Sequence, residues 1–423
     1  MHDPKLLRTD PDRIKDGVRA KGQDPSLIDE WLSLDELRRS IVSEVESKKA
    51  DRNTASREIG QRLRSGGDAS VEQERVRRMG EEISELDQRL RDVDAKVEAL
   101  SLNIPNVPDA DIPRGSAEQN QVVRTWGDPV KHPFPARTHD DLGTALGLFD
   151  FERATKMSGP GFAVFTGRGA LLERALIQFM LDIHVREHGY TEVSTPFLVK
   201  PKAAQGTGQL PKLAEDMYRT DLDGLYLIPT AEVSITNLYA DETLEESRLP
   251  LYHVGYSPCF RREAGSYGKD TKGLTRVHQF DKVEMVKFVA PDRSDQEHES
   301  LTANAESILQ RLGLAYRVVL LASGDMSFAA AKCYDLEVWA AGAGRWLEVS
   351  SCSNFRDFQA RRAGIRMRTA AGGKTTFAHT LNGSGLALPR TVIAIIENYQ
   401  TEHGSVRIPE PLRPYLGGLA ELS

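Results

Sequence analysis

Seven apolar residues, Met79, Ile83, Leu86, Leu90, Val93, Val97 and Leu100, stand alternately four and three positions apart. That spacing keeps one seam of a helix turned toward a partner, so it predicts coiled-coil packing. Upstream, Leu27, Trp31, Leu34, Ile41, Val45, Ala55 and Ile59 hold a similar phase, interrupted at Arg38, Lys48 and Arg52, and no Pro occurs from Leu27 to Leu102. Ser65-Gly66-Gly67-Asp68 separates the two runs, where a chain would reverse. Two helices of about 30 to 38 residues, folded back into an antiparallel hairpin, would each be roughly 45 to 57 Å long.

Charge is uneven on this hairpin. From Lys48 to Arg78, the half nearest the turn, nine basic residues (Lys48, Lys49, Arg52, Arg57, Arg62, Arg64, Arg75, Arg77 and Arg78) outnumber five acidic ones (Asp51, Glu58, Asp68, Glu72 and Glu74). A solvated coiled-coil exterior would account for this, because such faces are charged in any case. A finger whose tip binds a polyanion is the other reading. The whole chain is acidic, with 62 Asp and Glu against 55 Lys and Arg and a net charge of −7. That balance argues against a globally basic nucleic-acid coat protein and leaves room for a local basic patch.

At 423 residues, 39% of them hydrophobic, the chain has room for two or three domains. Pro and Gly cluster in NIPNVPDADIPRG, Asn103 to Gly115, which reads as a linker. The expected division is an arm over residues 1–102, a linker over 103–115 and a larger domain over 116–423. In that domain helical stretches (Gly169 to His188, Arg293 to Leu312, Thr391 to His403) mix with β-like runs (Leu225 to Ile228, Leu251 to Phe260, Val277 to Val289, Arg317 to Leu321, Trp346 to Ser353). Strands arriving in runs rather than in strict βαβ alternation favour an antiparallel α+β sheet flanked by helices.

Three cysteines, Cys259, Cys333 and Cys352, lie far apart without a CxxC pair, so neither a disulfide framework nor a zinc site is expected, and a reducing, cytoplasmic setting is the simplest reading. The opening MHDPKLLRTDPDR has no apolar core, and no apolar run approaches the ~18 residues that span a bilayer, so neither secretion nor membrane insertion is expected.

Ala371-Gly372-Gly373-Lys374-Thr375 imitates the end of a phosphate-binding P-loop, but Arg368 stands where its first Gly belongs. The informative segment is Cys259 to Phe288, CFRREAGSYGKDTKGLTRVHQFDKVEMVKF: two β-like runs around a Gly-rich stretch with Arg261, Arg262, Lys269, Lys272 and Arg276. On the second run Phe280, Lys282 and Glu284 share a face, setting a ring, a cation and a carboxylate on one surface. A solvated polar hairpin would look like this. So would a triphosphate site, since Arg presents a planar fork to phosphate oxygens.

These residues resemble those of the bacterial-type seryl-tRNA synthetases, a family of class II aminoacyl-tRNA synthetases. The resemblance runs through the opening MHDPKLLRTDPDRIK, the helical arm, Thr230-Ala231-Glu232, the motif 2 string FRREAGSYGKDTKGLTRVHQFDKVEM, LEVSSCSNFRDFQARR and the motif 3 string LNGSGLALPRTVIAIIENYQ. It implies a class II catalytic domain with an N-terminal coiled-coil arm, and ATP-dependent formation of seryl-adenylate followed by transfer to the 3′ end of tRNA-Ser. In the family the reaction extends to tRNA-Sec where that pathway exists. Motif 1, around Pro196 in TEVSTPFLVKP, implies a homodimer.

By the same resemblance Arg261 and Arg390 carry the catalytic role, Arg261 on the α-phosphate of ATP and Arg390 near the γ-phosphate. Arg262, Glu263, Val277, Phe280, Glu348, Val349, Ser350 and Ser351 join them around ATP, with Glu263 at the adenine edge and Phe280 stacked on the base. Glu348 and Ser351 suit Mg²⁺, which prefers oxygen ligands. Thr230, Ala231, Glu232, Glu284 and Ser384 surround L-serine. The arm holds the long variable arm and elbow of the tRNA. Pro389 stands where the family pattern has Gly before the motif 3 Arg. Two other readings are a ligase that loads a small amino acid onto a carrier protein, which would lack the long arm, and a non-catalytic RNA-binding paralogue, which would have lost Arg261, Glu348 or Arg390.

Overall fold

The computed structural model describes residues 1–264, 272–369 and 373–423. Lys269 of the expected basic loop, and Ala371 and Gly372 of the P-loop imitation, lie outside the described residues. The chain divides into two units, His2–Pro105, and Asn106–Ser423 together with Met1.

In the first unit α1 (Ser26–Arg64) and α2 (Ser70–Asn103) form the expected antiparallel hairpin, 39 and 34 residues long. The reversal falls at the breaker: Gly66 adopts a positive φ of 80° and the Gly67 N–H bonds the Arg62 carbonyl at 3.0 Å, which closes the end of α1. Ile41, Val45, Leu86 and Val93 make its packed seam, with Leu90 and Val97 against them. At the start of α1 the buried residue is Ile28 rather than the expected Leu27. Asp35 is buried one turn after Trp31, held by Arg8 at 3.3 Å and Arg39 at 3.0 Å, and Arg38 reaches Asp94 of the other helix at 2.6 Å.

The second unit holds, in chain order, β1 (Gln121–Trp126), α3 (His139–Ala145), α4 (Arg168–Arg186), β2 (Thr191–Glu192), α5 (Glu232–Thr236), β3 (Leu251–Phe260), β4 (Gln279–Val289), α6 (Ser294–Arg311), β5 (Tyr316–Leu320), β6 (Lys332–Ala340), β7 (Arg345–Asn354), α7 (Phe358–Ala363), β8 (His379–Ala387) and α8 (Leu388–Asn398). The strands form one eight-stranded sheet in the order β1-β5-β6-β7-β8-β4-β3-β2. Every neighbouring pair is antiparallel except β2 with β3, so the α+β expectation holds.

Helices cover the sheet with apolar stripes at helical spacing. Leu172, Ala175, Leu176, Phe179, Met180 and Ile183 of α4 are buried, and on α8 Val392, Ile393, Ile395 and Ile396 are each at most 1% exposed. Each of the larger side chains contributes roughly 1.5–3 kcal/mol, and α8, buried along nearly its whole length, makes a fixed platform next to the sheet. Residues 106–115, which composition marks as a linker, belong to the second unit: Asn106 Nδ2 donates to the carbonyls of Ala329 and Phe355 at 2.9 Å each, and Ile112 joins the core.

Candidate active site

A cavity of about 340 Å³ opens on the face of β4, β7 and β8. The pleat of β4 points Phe280, Lys282 and Glu284 into it, as their spacing predicts. The other two strands need bulges. On β7 the register passes from Ser350 opposite Leu336 to Glu348 opposite Glu337, so Val349 is an extra residue. Glu348 and Ser351, three apart, therefore reach the same face, where an unbroken strand would oppose them. On β8 Gly385 is the extra residue between Ser384, opposite Glu284, and Leu386, opposite Val283. That shift brings Asn382, Ser384 and Ala387 to the cavity together.

One region of the cavity is acidic. Lys282 and Glu284, 6% and 1% exposed, form a buried ion pair. The Thr230 hydroxyl accepts from Lys282 Nζ at 2.8 Å and donates to Glu284 Oε2 at 3.0 Å. Thr230 sits just ahead of α5, whose first residue is Glu232. Gln359 of α7 donates to Glu232 Oε1 at 2.6 Å, and Gln209 donates to Oε2 at 3.2 Å. Thr380 donates to the Gln359 amide oxygen at 2.8 Å and Thr207 donates to that of Gln209, so both amide groups must turn their N–H atoms to the carboxylate. Burial, and then the neighbouring Glu284 carboxylate, push Glu232 up to about 7.

Phe280 lies four residues from Glu284, about 13 Å along an extended strand, and marks a cationic region. The Arg261 guanidinium sits 5.1 Å from the Phe280 ring centroid, with its Nε donating to the Pro229 carbonyl at 3.3 Å. Glu263 takes a positive φ of 51° and pairs with Arg276. Arg390 donates from Nη1 to the Glu348 carbonyl at 2.8 Å and from Nε to the Thr275 carbonyl at 3.4 Å, and faces the Glu348 carboxylate at 3.4 Å. Helix α8 starts at Leu388, so Pro389 occupies its first turn, where a missing N–H costs nothing.

Of the residues expected from sequence, Thr230, Glu232, Arg261, Glu263, Val277, Phe280, Glu284, Glu348, Val349, Ser351, Ser384 and Arg390 line this one cavity. Three do not. Arg262 is exposed and its N–H bonds the Asp216 carbonyl at 2.8 Å, Ala231 packs in an apolar cluster with Ile235 and Phe288, and the Ser350 hydroxyl donates to the Ser384 carbonyl at 2.7 Å, bracing β8 from below. Gln209, Arg276, Lys282 and Asn382 also line it; the sequence marks Arg276 among the cations of the basic stretch and Lys282 on the face of Phe280 and Glu284, and singles out neither Gln209 nor Asn382. Asn382 was findable from its spacing of two from Ser384; Gln209 had no such mark.

The combination suits a zwitterion beside a polyphosphate: carboxylates and hydroxyls for an ammonium and a hydroxyl, guanidiniums for phosphates, a ring for a base. Among the described residues neither His nor Cys lines the cavity, so its hydroxyls, Thr230, Ser351 and Ser384 among them, have no imidazole beside them in the lining to activate them. No group of three or more His, Cys, Asp or Glu that could hold a metal occurs among the described residues, and Glu348 with Ser351 offers a hard cation two protein oxygens.

On the arm, five of the nine cations are already paired: Lys48 with Glu82 at 2.6 Å, Lys49 with Asp87 at 3.1 Å, Arg62 with Glu72, Arg77 with Glu74 at 2.7 Å and Arg78 with Glu74 at 3.1 Å. Arg52, Arg57, Arg64 and Arg75 make no ion pair among the described residues.

Two family models match the chain, the seryl-tRNA synthetase N-terminal domain over residues 1–108 and the tRNA synthetase class II core domain (G, H, P, S and T) over 216–399. The chain is 53% identical over 419 residues to a serine–tRNA ligase of Thermomicrobium roseum, covering 99% of this chain and 94% of that one. It is 50% identical over 423 residues to one of Chloroflexus aurantiacus, covering both completely. The crystal structure of seryl-tRNA synthetase from Pyrococcus horikoshii complexed with ATP superposes with a TM-score of 0.93 at 36% identity, over 100% of this chain and 99% of that one.

Proposed function

The chain belongs to the seryl-tRNA synthetase family, and from that membership we propose how its residues divide the work of a serine–tRNA ligase. It is an ATP-dependent ligase of class II fold that charges tRNA with serine. On our reading ATP lies with its base against Phe280 and Val277, its edge at Glu263, its α-phosphate at Arg261 and its outer phosphates near Arg390, with Arg276 alongside. Glu348 and Ser351 would hold Mg²⁺, which neutralises phosphate charge when bound. Ala231 and Ser350 act through the backbone and the strands they brace, not by touching ligand.

Serine would place its ammonium against Glu232 and its hydroxyl among Glu284, Thr230 and Ser384. A carboxylate is already a nucleophile at neutral pH, so these contacts need only aim it at the α-phosphorus. As it attacks, charge grows on the phosphate oxygens, where Arg261 is already held over Phe280. The arm would hold tRNA-Ser through Arg52, Arg57, Arg64 and Arg75, by shape and phosphates, which makes tRNA-Sec a second acceptor on this reading. Residues 1–102 would then serve the tRNA and 116–423 the chemistry, in a homodimer built on motif 1, in the cytoplasm; no helix among the described residues is long and apolar enough to cross a membrane.

The observation that most supports this is the convergence of Thr230, Glu232 and Glu284 at one place and of Arg261 and Phe280 about 13 Å away on the same strand face. ATP–pyrophosphate exchange tests it. Exchange should require serine, and equal exchange with alanine or glycine would overturn the serine assignment, since the smaller substrates leave buried polar groups unpaired.

A further inference from the structure

The wall of the cavity formed by Leu274 to Arg276 is tied to α8 twice. One tie is Arg390 Nε on the Thr275 carbonyl. The other runs through residues outside the cavity. Glu397, two turns after Arg390 on the same helix and fully buried, accepts three N–H groups: the His139 backbone and ring Nδ1, both at 2.9 Å, and the Ala343 backbone at 2.8 Å. With Nδ1 donating to a carboxylate, the His139 ring presents Nε2 as a bare acceptor, and the Leu274 N–H fills it at 3.0 Å. Gly273 comes so close, at φ 63°, that a Cβ there would stand 2.3 Å from His139 Nε2. Nothing but Gly fits between the ring and the backbone it holds.

We propose that His139, set by Glu397, is a positioning residue for the nucleotide: it fixes the Leu274–Arg276 wall at the height that α8 dictates for Arg390. The imidazole can do this in one tautomer only. A proton on Nε2 would face the Leu274 N–H with a second donor. Neither His139 nor Glu397 lines the cavity, so their loss should register on ATP alone. The acidic pocket hangs on α5, α7 and β4, none of which this tie involves.

The inference rests on the reading of the cavity as an ATP site, which serine-dependent exchange by the unaltered protein tests by itself. The separate test uses three variants of the full chain. His139→Asn keeps a donor for Glu397 and cannot reach Leu274. His139→Gln places an acceptor near the old Nε2. Glu397→Gln disturbs the tautomer without touching the cavity. In exchange assays His139→Asn and Glu397→Gln should raise KM for ATP about tenfold, the loss expected from one buried hydrogen bond, with KM for serine changed less than about twofold. His139→Gln should recover part of that loss. Unchanged KM for ATP in His139→Asn, or equal rises for both substrates, would overturn the proposal. Failure of both His139→Asn and Glu397→Gln to give folded protein would also count against it, since the tie would then serve the fold rather than the site.

Discussion

Gln359 donates to one oxygen of Glu232 at 2.6 Å although 127 residues separate them in the chain, and the Thr380 hydroxyl on its amide oxygen prevents the amide from turning round. The carboxylate is thereby aimed while burial and Glu284 push it up to about 7. A serine ammonium needs the ionised form, so protons and serine compete. KM for serine should rise as pH falls through about 7, approaching tenfold per unit, while Glu232→Gln should show a flat, high KM. Gln359→Leu removes a donor that favours the charged form, so the rise should move to higher pH. Stability carries the matching sign: between the ordinary 4.5 and about 7 the folded chain keeps a proton that the unfolded chain releases, so Glu232 makes the unliganded fold less stable as pH rises through that window. Steady-state exchange from pH 6 to 8 checks the first two statements, and thermal melts the third.

Glu284 is the sole carboxylate paired with Lys282 inside the sheet, among the described residues. Truncating Glu284 strands a buried ammonium, which typically costs about 3–5 kcal/mol. Glu284→Ala should therefore lose thermal stability as well as serine activation, whereas Glu284→Gln should keep most of the stability and still lose activation. Differential scanning calorimetry beside exchange assays separates the two. Equal melting of both variants would mean that Lys282 finds another partner.

The bulge on β8 makes a third prediction. A Cβ at Gly385 would stand 2.6 Å from Nε2 of His184, a ring that is fully buried and cannot step aside. Gly385→Ala should cost about 1–3 kcal/mol by overpacking and move Ser384 off the cavity face. KM for serine should rise more than KM for ATP; an unshifted KM for serine would show that β8 holds its register without the glycine.

How much of this was legible in the sequence depends on the range of the signal. The run Leu251–Phe260 reads as a strand and is one, end to end, and the four-three spacing of Ile83 through Val97 found the hairpin, because both patterns are local. The start of the seam shifted from Leu27 to Ile28, where Asp35 and its arginines take a place in the packing that periodicity reserves for an apolar residue. The strand Lys332–Ala340 escaped notice because charges alternate through it. Recognisable strings located most lining residues, yet not the bulges at Val349 and Gly385, which are properties of register between strands. Gln209 and Gln359 carry no mark at all: an amide is informative only once its partner is known.

The arm offers the last prediction. Five of its nine cations near the turn already neutralise glutamates or aspartates of the same hairpin, and exposed pairs of this kind contribute little to stability. On the proposed reading Arg52, Arg57, Arg64 and Arg75 are left to meet phosphates. Changing these four to Ala should weaken tRNA binding at all salt concentrations and flatten its salt dependence, by up to about 0.9 in log–log slope for each phosphate no longer neutralised. Changing Lys48, Lys49 and Arg77 instead should flatten it less. Serine-dependent ATP–pyrophosphate exchange should be untouched in both, because the chemistry belongs to the other unit. Filter binding of tRNA-Ser across a salt series measures the slopes, and equal weakening by the two sets would show that the ion pairs open on binding and that the whole basic tip takes part.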